Sequence, residues 1–192
     1  MSTLPGSLEL VKAGFVQLDA TTGVVQRIIV FQYNPETLVR RLEGVNPAVP
    51  PPPPPAPPPS PREFVTFTLA LDATDKLEQG DPLTLQNGIL PTLSALELLL
   101  YPRSPSLTVW VSGAKRVMPV RITELQITEQ AFDAVLNPIR AELAVTLLIL
   151  KDEDLAIDSH GRALWDAHFT RLQQLANSME AGNLATLGLT GI

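Results

Sequence analysis

The chain has 192 residues, a net charge of -6, a pI near 4.9, 45% hydrophobic and 18% charged residues, and no cysteine. That length holds one sizeable core, or a core with an appendage, and the missing cysteines exclude disulfides and thiolate metal sites. An acidic balance without a Lys/Arg cluster or stripe excludes the electrostatic footprint of a nucleic-acid binder, and a charge content below the roughly 25% of average soluble domains suits a surface covered in an assembly.

Two strands are predicted at the start, Leu8 to Leu18 and Val24 to Tyr33, around the polar turn Asp19-Ala20-Thr21-Thr22-Gly23, whose glycine can take positive φ. Asn34-Pro35-Glu36 breaks the pattern, and Thr37 to Leu42 reads as another short strand. Val45 to Pro61 then holds eleven of the nineteen prolines. Without backbone donors it can join neither sheet nor helix, so polyproline II is expected, reaching roughly 50 Å at about 3.1 Å per residue. It reads as a stiff surface loop between neighbouring strands; a ligand for an SH3-like or WW-like groove is the alternative.

The strand pattern resumes over Arg62 to Asp72, with Val65, Phe67, Leu69 and Leu71 on one face. From Asp81 the period changes. Ile89, Leu93, Leu96 and Leu100 form a helical stripe; Pro91 fits only in the first turn, so the helix should start near Leu90, with Leu83 to Gly88 a separate turn. Leu107 to Val111 and Val117 to Gln130 are further strands. In the second, Val120 and Ile122 lie on the opposite parity to Leu125 and Ile127, which a bulge or twist near Thr123 would reconcile.

The last strand alternates most clearly: Ile139, Ala141, Leu143, Val145, Leu147 and Ile149 point one way, Arg140, Glu142, Ala144 and Thr146 the other. Near its end Leu148 and Leu150 make the second face apolar too, so something must cover it, either the helix around Leu93 to Leu100 or another copy. Asp158 or Ser159 can cap a C-terminal helix with Trp165, Phe169, Leu172, Ala176 and Met179 on one stripe, followed by a small, apolar tail, Gly182 to Ile192.

Candidate chemistry is sparse. His160 and His168 are eight apart, whereas metal ligands on one helix are expected three or four apart. Asp152-Glu153-Asp154 lacks the spacing of a calcium loop and reads as a solvated linker, and Asp72, Asp75, Glu78 and Asp81 could do acid–base work only at a separation that spacing does not define. No phosphate-cradling glycine loop or nucleophile motif appears. Trp110 reads as a core or interface anchor. The expectation is a non-enzymatic protein with no catalytic, cofactor or metal site. No apolar run approaches the roughly 18 residues that span a bilayer, and Met1 to Leu10 lacks a basic-then-apolar leader, so a soluble, cytoplasmic chain without membrane partners is expected.

Three segments in this order carry a resemblance: FQYNPETL at Phe31 to Leu38, LTVWVSGAKRVMPVRITELQITEQAFD at Leu107 to Asp133, and LNPIRAELAVTLLIL at Leu136 to Leu150. Together they resemble the N-terminal tube-like domain of the contractile injection system tube or baseplate protein, a family whose larger members also carry a LysM module. The matching positions are Asn34, Pro35, Glu36, Trp110, Phe132, Pro138 and Arg140. The likeness covers roughly residues 8 to 152 without the proline insert. It departs at Trp110, which is followed by Val111-Ser112-Gly113 where the family tends to have glycine directly, and no LysM pattern follows residue 152.

The resemblance implies a mainly β fold, a tail-tube-like twisted barrel or sandwich of about seven strands with one flanking helix, assigned to 1–152; the helical extension with its tail over 153–192 is read from the residues themselves. The resemblance also implies a structural subunit that forms a hexameric ring through edge-strand pairing and joins the spike hub to the inner tube. Its partners would be itself, the spike or hub protein, inner-tube or tube-initiator proteins and other baseplate components, in a phage-tail-like particle. A tail protein of a contractile phage, or a monomeric module displaying the polyproline loop, are the alternatives.

Overall fold

A computed structural model of the chain describes residues 10–44, 60–102, 105–179 and 182. The expected polyproline run lies outside the described residues except for Ser60 and Pro61, as does the apolar tail except for Gly182. Among the described residues there are seven strands: β1 (Gly14–Asp19), β2 (Val25–Val30), β3 (Leu38–Glu43), β4 (Arg62–Asp72), β5 (Ser106–Val111), β6 (Val117–Phe132) and β7 (Pro138–Ile149). They form one antiparallel sheet in the order β2-β1-β5-β6-β7-β4-β3, which does not close into a barrel. The fold is mainly β with helices, as the alternating runs predict.

The sheet is strongly curled. Phe67 on β4 stacks on Trp110 of β5 with ring centroids 5.7 Å apart, although β6 and β7 lie between those strands. On a flat sheet three strand spacings would separate them by about 14 Å. Phe31 bridges onward to Phe67 and Phe15, at 5.8 Å and 5.1 Å. The concave face also holds Val65, Leu143, Val145, Leu147 and Ile149.

Bulging at Thr123 keeps β6 on this core. The register with β7 shifts between Ile122 and Glu124, so Ile122 opposes Leu147 and Leu125 opposes Val145, both on the buried side. The Thr123 hydroxyl donates to the Thr146 carbonyl at 3.1 Å, occupying the slipped position.

Three short helices lie between β4 and β5: α1 (Thr74–Glu78), α2 (Pro82–Asn87) and α3 (Leu90–Glu97). The segment expected to be a separate turn is therefore α2, because Asp81 caps it through Thr84 N–H at 2.9 Å and Pro82 occupies its first turn. Ile89, Leu93, Leu96 and Leu99 close the concave core.

The C-terminal helix α4 (His160–Asn177) starts at Ser159, whose hydroxyl accepts from Arg162 N–H at 3.2 Å. It supplies the cover needed by the end of β7. Leu148 and Leu150 pack with Leu107 and Val109 on the convex face, against Leu155 and Leu164. The Leu93 to Leu100 helix does not cover them, because α3 lies on the concave side. The expected α4 stripe holds only at Trp165, which packs against the core; Gly161 and His168 are the buried positions, while Phe169, Leu172 and Met179 are exposed. The helix turns toward the sheet the side that fits around Gly161, where an added Cβ would lie 2.8 Å from Leu155.

Leu164→Asp places a carboxylate against this convex cluster and is expected to cost at least about 2 kcal/mol. A lower urea midpoint at unchanged slope is the expected signature, and an unchanged midpoint would mean that α4 contributes no burial there.

Candidate functional site

The matching positions fall into three places. The first is a junction where the chain leaving β2 crosses to β3, joining the sheet's two outer strands. Phe31 is buried in the aromatic line. The Gln32 side-chain amide then pairs with the Asp72 main chain, donating to its carbonyl at 2.7 Å and accepting from its N–H at 2.9 Å. Asn34 repeats the device two residues on, accepting from Ala13 N–H at 2.8 Å and donating to Val11 O at 2.9 Å. Each amide substitutes for a missing strand, because it carries one donor and one acceptor in the geometry of a peptide group. Arg140 ties β7 into the same junction through an ion pair with Asp72 at 2.9 Å. The Asp72 carboxyl is held below its ordinary value, first by hydrogen bonding from the Thr74 side chain and further by Arg140, against the opposing effect of burial.

Pro35 and Glu36 follow on the surface and border two clefts. One, about 540 Å³, is lined by Tyr33, Glu36, Thr37, Val39, Thr68 and Glu142 among others. The other, about 210 Å³, is lined by Val11, Ala13, Pro35, Leu38, Ser112 and Gly113, with Asn34 at its edge.

Trp110 is separate, 1% exposed in the core, so its anchoring role is internal to the subunit. Phe132 and Pro138 mark the third place, the tip and root of the β6–β7 hairpin. Pro138 is buried and its carbonyl accepts from Ile89 N–H at 2.9 Å, whereas Phe132 is half exposed. The Asp133 carboxylate braces the tip: it accepts from Val135 N–H at 2.9 Å, Asn137 N–H at 2.7 Å and the Asn137 amide at 2.8 Å.

Other candidates from the sequence are dispersed. Asp81 caps α2, Asp75 and Glu78 are exposed on α1, and Asp152-Glu153-Asp154 forms an exposed 3-10 turn. Among the described residues no group of three His, Asp or Glu side chains is placed to hold a metal ion. No helix among them is long and apolar enough to cross a membrane.

A buried polar cluster under α4 had no signature in the sequence. Glu63, 4% exposed, pairs with Arg40 at 2.6 Å, and buried Lys151 donates to the Pro61 carbonyl while lying 5.7 Å from the Trp165 ring centroid. His168 is 5% exposed, packs 5.8 Å from Trp165, and neither ring nitrogen has a partner. Desolvation lowers its pKa, and Arg40, Arg171 and Arg116 add to this while Glu63 opposes it.

Compared with protein-family models and with curated proteins, the sequence matches none.

Gln32→Ala leaves both main-chain groups of Asp72 to water or unpaired, and a loss of about 1–2 kcal/mol is expected by urea denaturation; no loss would mean that the junction closes without the amide. His168 binds a proton less readily folded than unfolded, so its contribution is present above the ordinary imidazole value of 6.5 and is lost as pH falls below it. Between about pH 7.5 and pH 5, above most carboxylate titration, the parent should lose stability more steeply than His168→Leu; equal slopes would refute the assignment.

Proposed function

We propose that this chain is a structural adaptor subunit of a contractile injection system, forming a ring that joins the spike hub to the inner tube. The observation that carries the reading is the open sheet with two outer strands: among the described residues β2 and β3 each pair on one side only, with β1 and β4 respectively. The outer strand β2 exposes Val25, Ile28 and Val30, and β3 exposes Val39 and Leu42 beside the charged Arg40, Arg41 and Glu43. A strand with one free ladder and exposed β-branched side chains is a template for pairing with another chain. Two such edges on opposite margins of one curled sheet allow each subunit to extend the sheet of the next, and a head-to-tail interface of this kind generates a ring when its rotation closes.

Two further features support the reading. The ordered motif set from Phe31 to Leu150 resembles the tube-like domain of that family, and the Asn34 and Arg140 positions sit where the two margins are tied together. The output of such a protein is binding energy: stacked rings match the symmetry of hub and tube and seed tube growth.

Negative-stain images of the purified chain, alone and mixed with spike and inner-tube proteins of a contractile injection system, test this. Rings or co-assemblies are expected for the parent, and loss of both for Ile28→Lys combined with Val39→Lys, since lysine on an outer strand blocks pairing. A monodisperse monomer that binds neither of these proteins would overturn the proposal.

A further inference from the structure

The β6–β7 tip presents two side chains that the fold does not use. Val135 and Leu136 are 76% and 78% exposed. Leu136 also sits at φ 67°, where a leucine costs roughly 1–2 kcal/mol and glycine or asparagine would be accommodated readily. Leucine at such a position is unfavourable in backbone conformation, which the hydrogen bonds of the turn hold in place, and in hydration, which no contact among the described residues relieves. The tip is rigid: besides the three bonds to the Asp133 carboxylate, Asp133 N–H donates to Asn137 O at 3.0 Å, and Leu136 N–H to Asp133 O at 3.1 Å. The Asn137 amide is anchored on Gln86 O at 3.0 Å. An apolar knob fixed in this way loses little conformational entropy when it binds.

A matching hole lies at the other end of the same strand. The 210 Å³ cavity is bordered by Ser112 and Gly113 in the β5–β6 turn, where β6 begins, with Val11, Ala13, Pro35 and Leu38 supplying apolar walls. It has room for one branched aliphatic side chain. Between turn and tip β6 runs 16 residues, roughly 50 Å if straight, so knob and hole of one molecule cannot meet. Their rims carry opposite charge. Lys12, Lys115 and Arg116 are exposed beside the hole, and Glu36, next to Pro35, lines the other cleft. The tip itself carries the Asp133 carboxylate, Glu129 is exposed on β6 behind it, and α1, which starts beside the hairpin root through Ala73 N–H to Ile139 O, exposes Asp75 and Glu78 with Lys76 the opposing charge, while Arg140 is already paired with Asp72.

We infer that the Val135–Leu136 tip of one copy seats in the Val11–Ala13–Pro35–Leu38 cavity of a second copy, so that molecules associate head to tail along the β6 direction. The contact is heterologous, using different surfaces on the two partners, and it therefore propagates. It is separate from sideways pairing of β2 and β3 and does not rest on the adaptor reading.

Sedimentation of the full chain tests it, from about 1 to about 100 µM. The parent is expected to show concentration-dependent association that weakens as salt screens the rims. Val135→Ser with Leu136→Gly removes the knob and relieves the positive φ, so the variant should fold; Ser112→Trp fills the hole. Each alone should weaken association about tenfold to a hundredfold. Mixed in the Ile28→Lys, Val39→Lys background, which removes sideways pairing, the two variants should form a one-to-one dimer and nothing larger, because one intact knob meets one intact hole. Parent-like association by either folded variant, a parent that stays monomeric, or a mixture that does not dimerise would overturn the inference. Rings that persist in the tip variant would leave the adaptor reading standing while this contact fails, and the edge-lysine variant separates the two in the opposite direction.

Discussion

The stacking of Phe67 on Trp110 is the constraint on which the rest of the structure depends. Two strands lie between them, and their contact requires the sheet to bend through most of an arc. Once bent, the sheet brings the chain leaving β2 to the end of β4, where no strand among the described residues is in register to pair. Gln32 and Asn34 resolve that mismatch with side-chain amides in place of main chain. The aromatic line supplies the curvature, and the amides satisfy the polar groups that the curvature strands.

Both faces of the bent sheet are covered, by different devices. On the inside, α3 and the aromatic line make a dry core. Outside, α4 covers only the end where Leu107, Val109, Leu148 and Leu150 cluster, and it does so over a buried polar group of Glu63, Lys151 and His168. The remaining outer face of β4 and β7 is threonine, alanine, arginine and glutamate, which tolerates water. The distribution divides the molecule into a sealed interior, a docked helix and two open margins.

How far this was legible in the sequence follows from where the physics is local. Alternation in β4 and β7 announced the buried faces because a pleat imposes period two on any half-covered strand. The parity break between Ile122 and Leu125 announced a bulge for the same reason, and Ser159 announced the start of α4 through its side chain. The order of strands was not legible, since pairing partners are set by contacts far apart in the chain. Nor was the buried side of α4: Phe169, Leu172 and Met179 make a better helical stripe than Gly161, Leu164 and His168, yet it is the small Gly161 that lets the helix approach Leu107 and Leu155. Asn34 and Arg140 were visible as motif positions, but their roles appeared only when Gln32 and Asp72, forty residues apart, proved to be paired.

Gly88 has a bearing on mechanics. At φ 55° it lies so close to the Pro138 carbonyl that no side chain could fit between them, and Ile89 N–H donates to that same oxygen. The three-helix segment and the root of the long hairpin are thus fastened main chain to main chain. The root of the hairpin therefore cannot shift relative to α2 and α3 without breaking that bond, and a side chain in place of Gly88 would force the two apart.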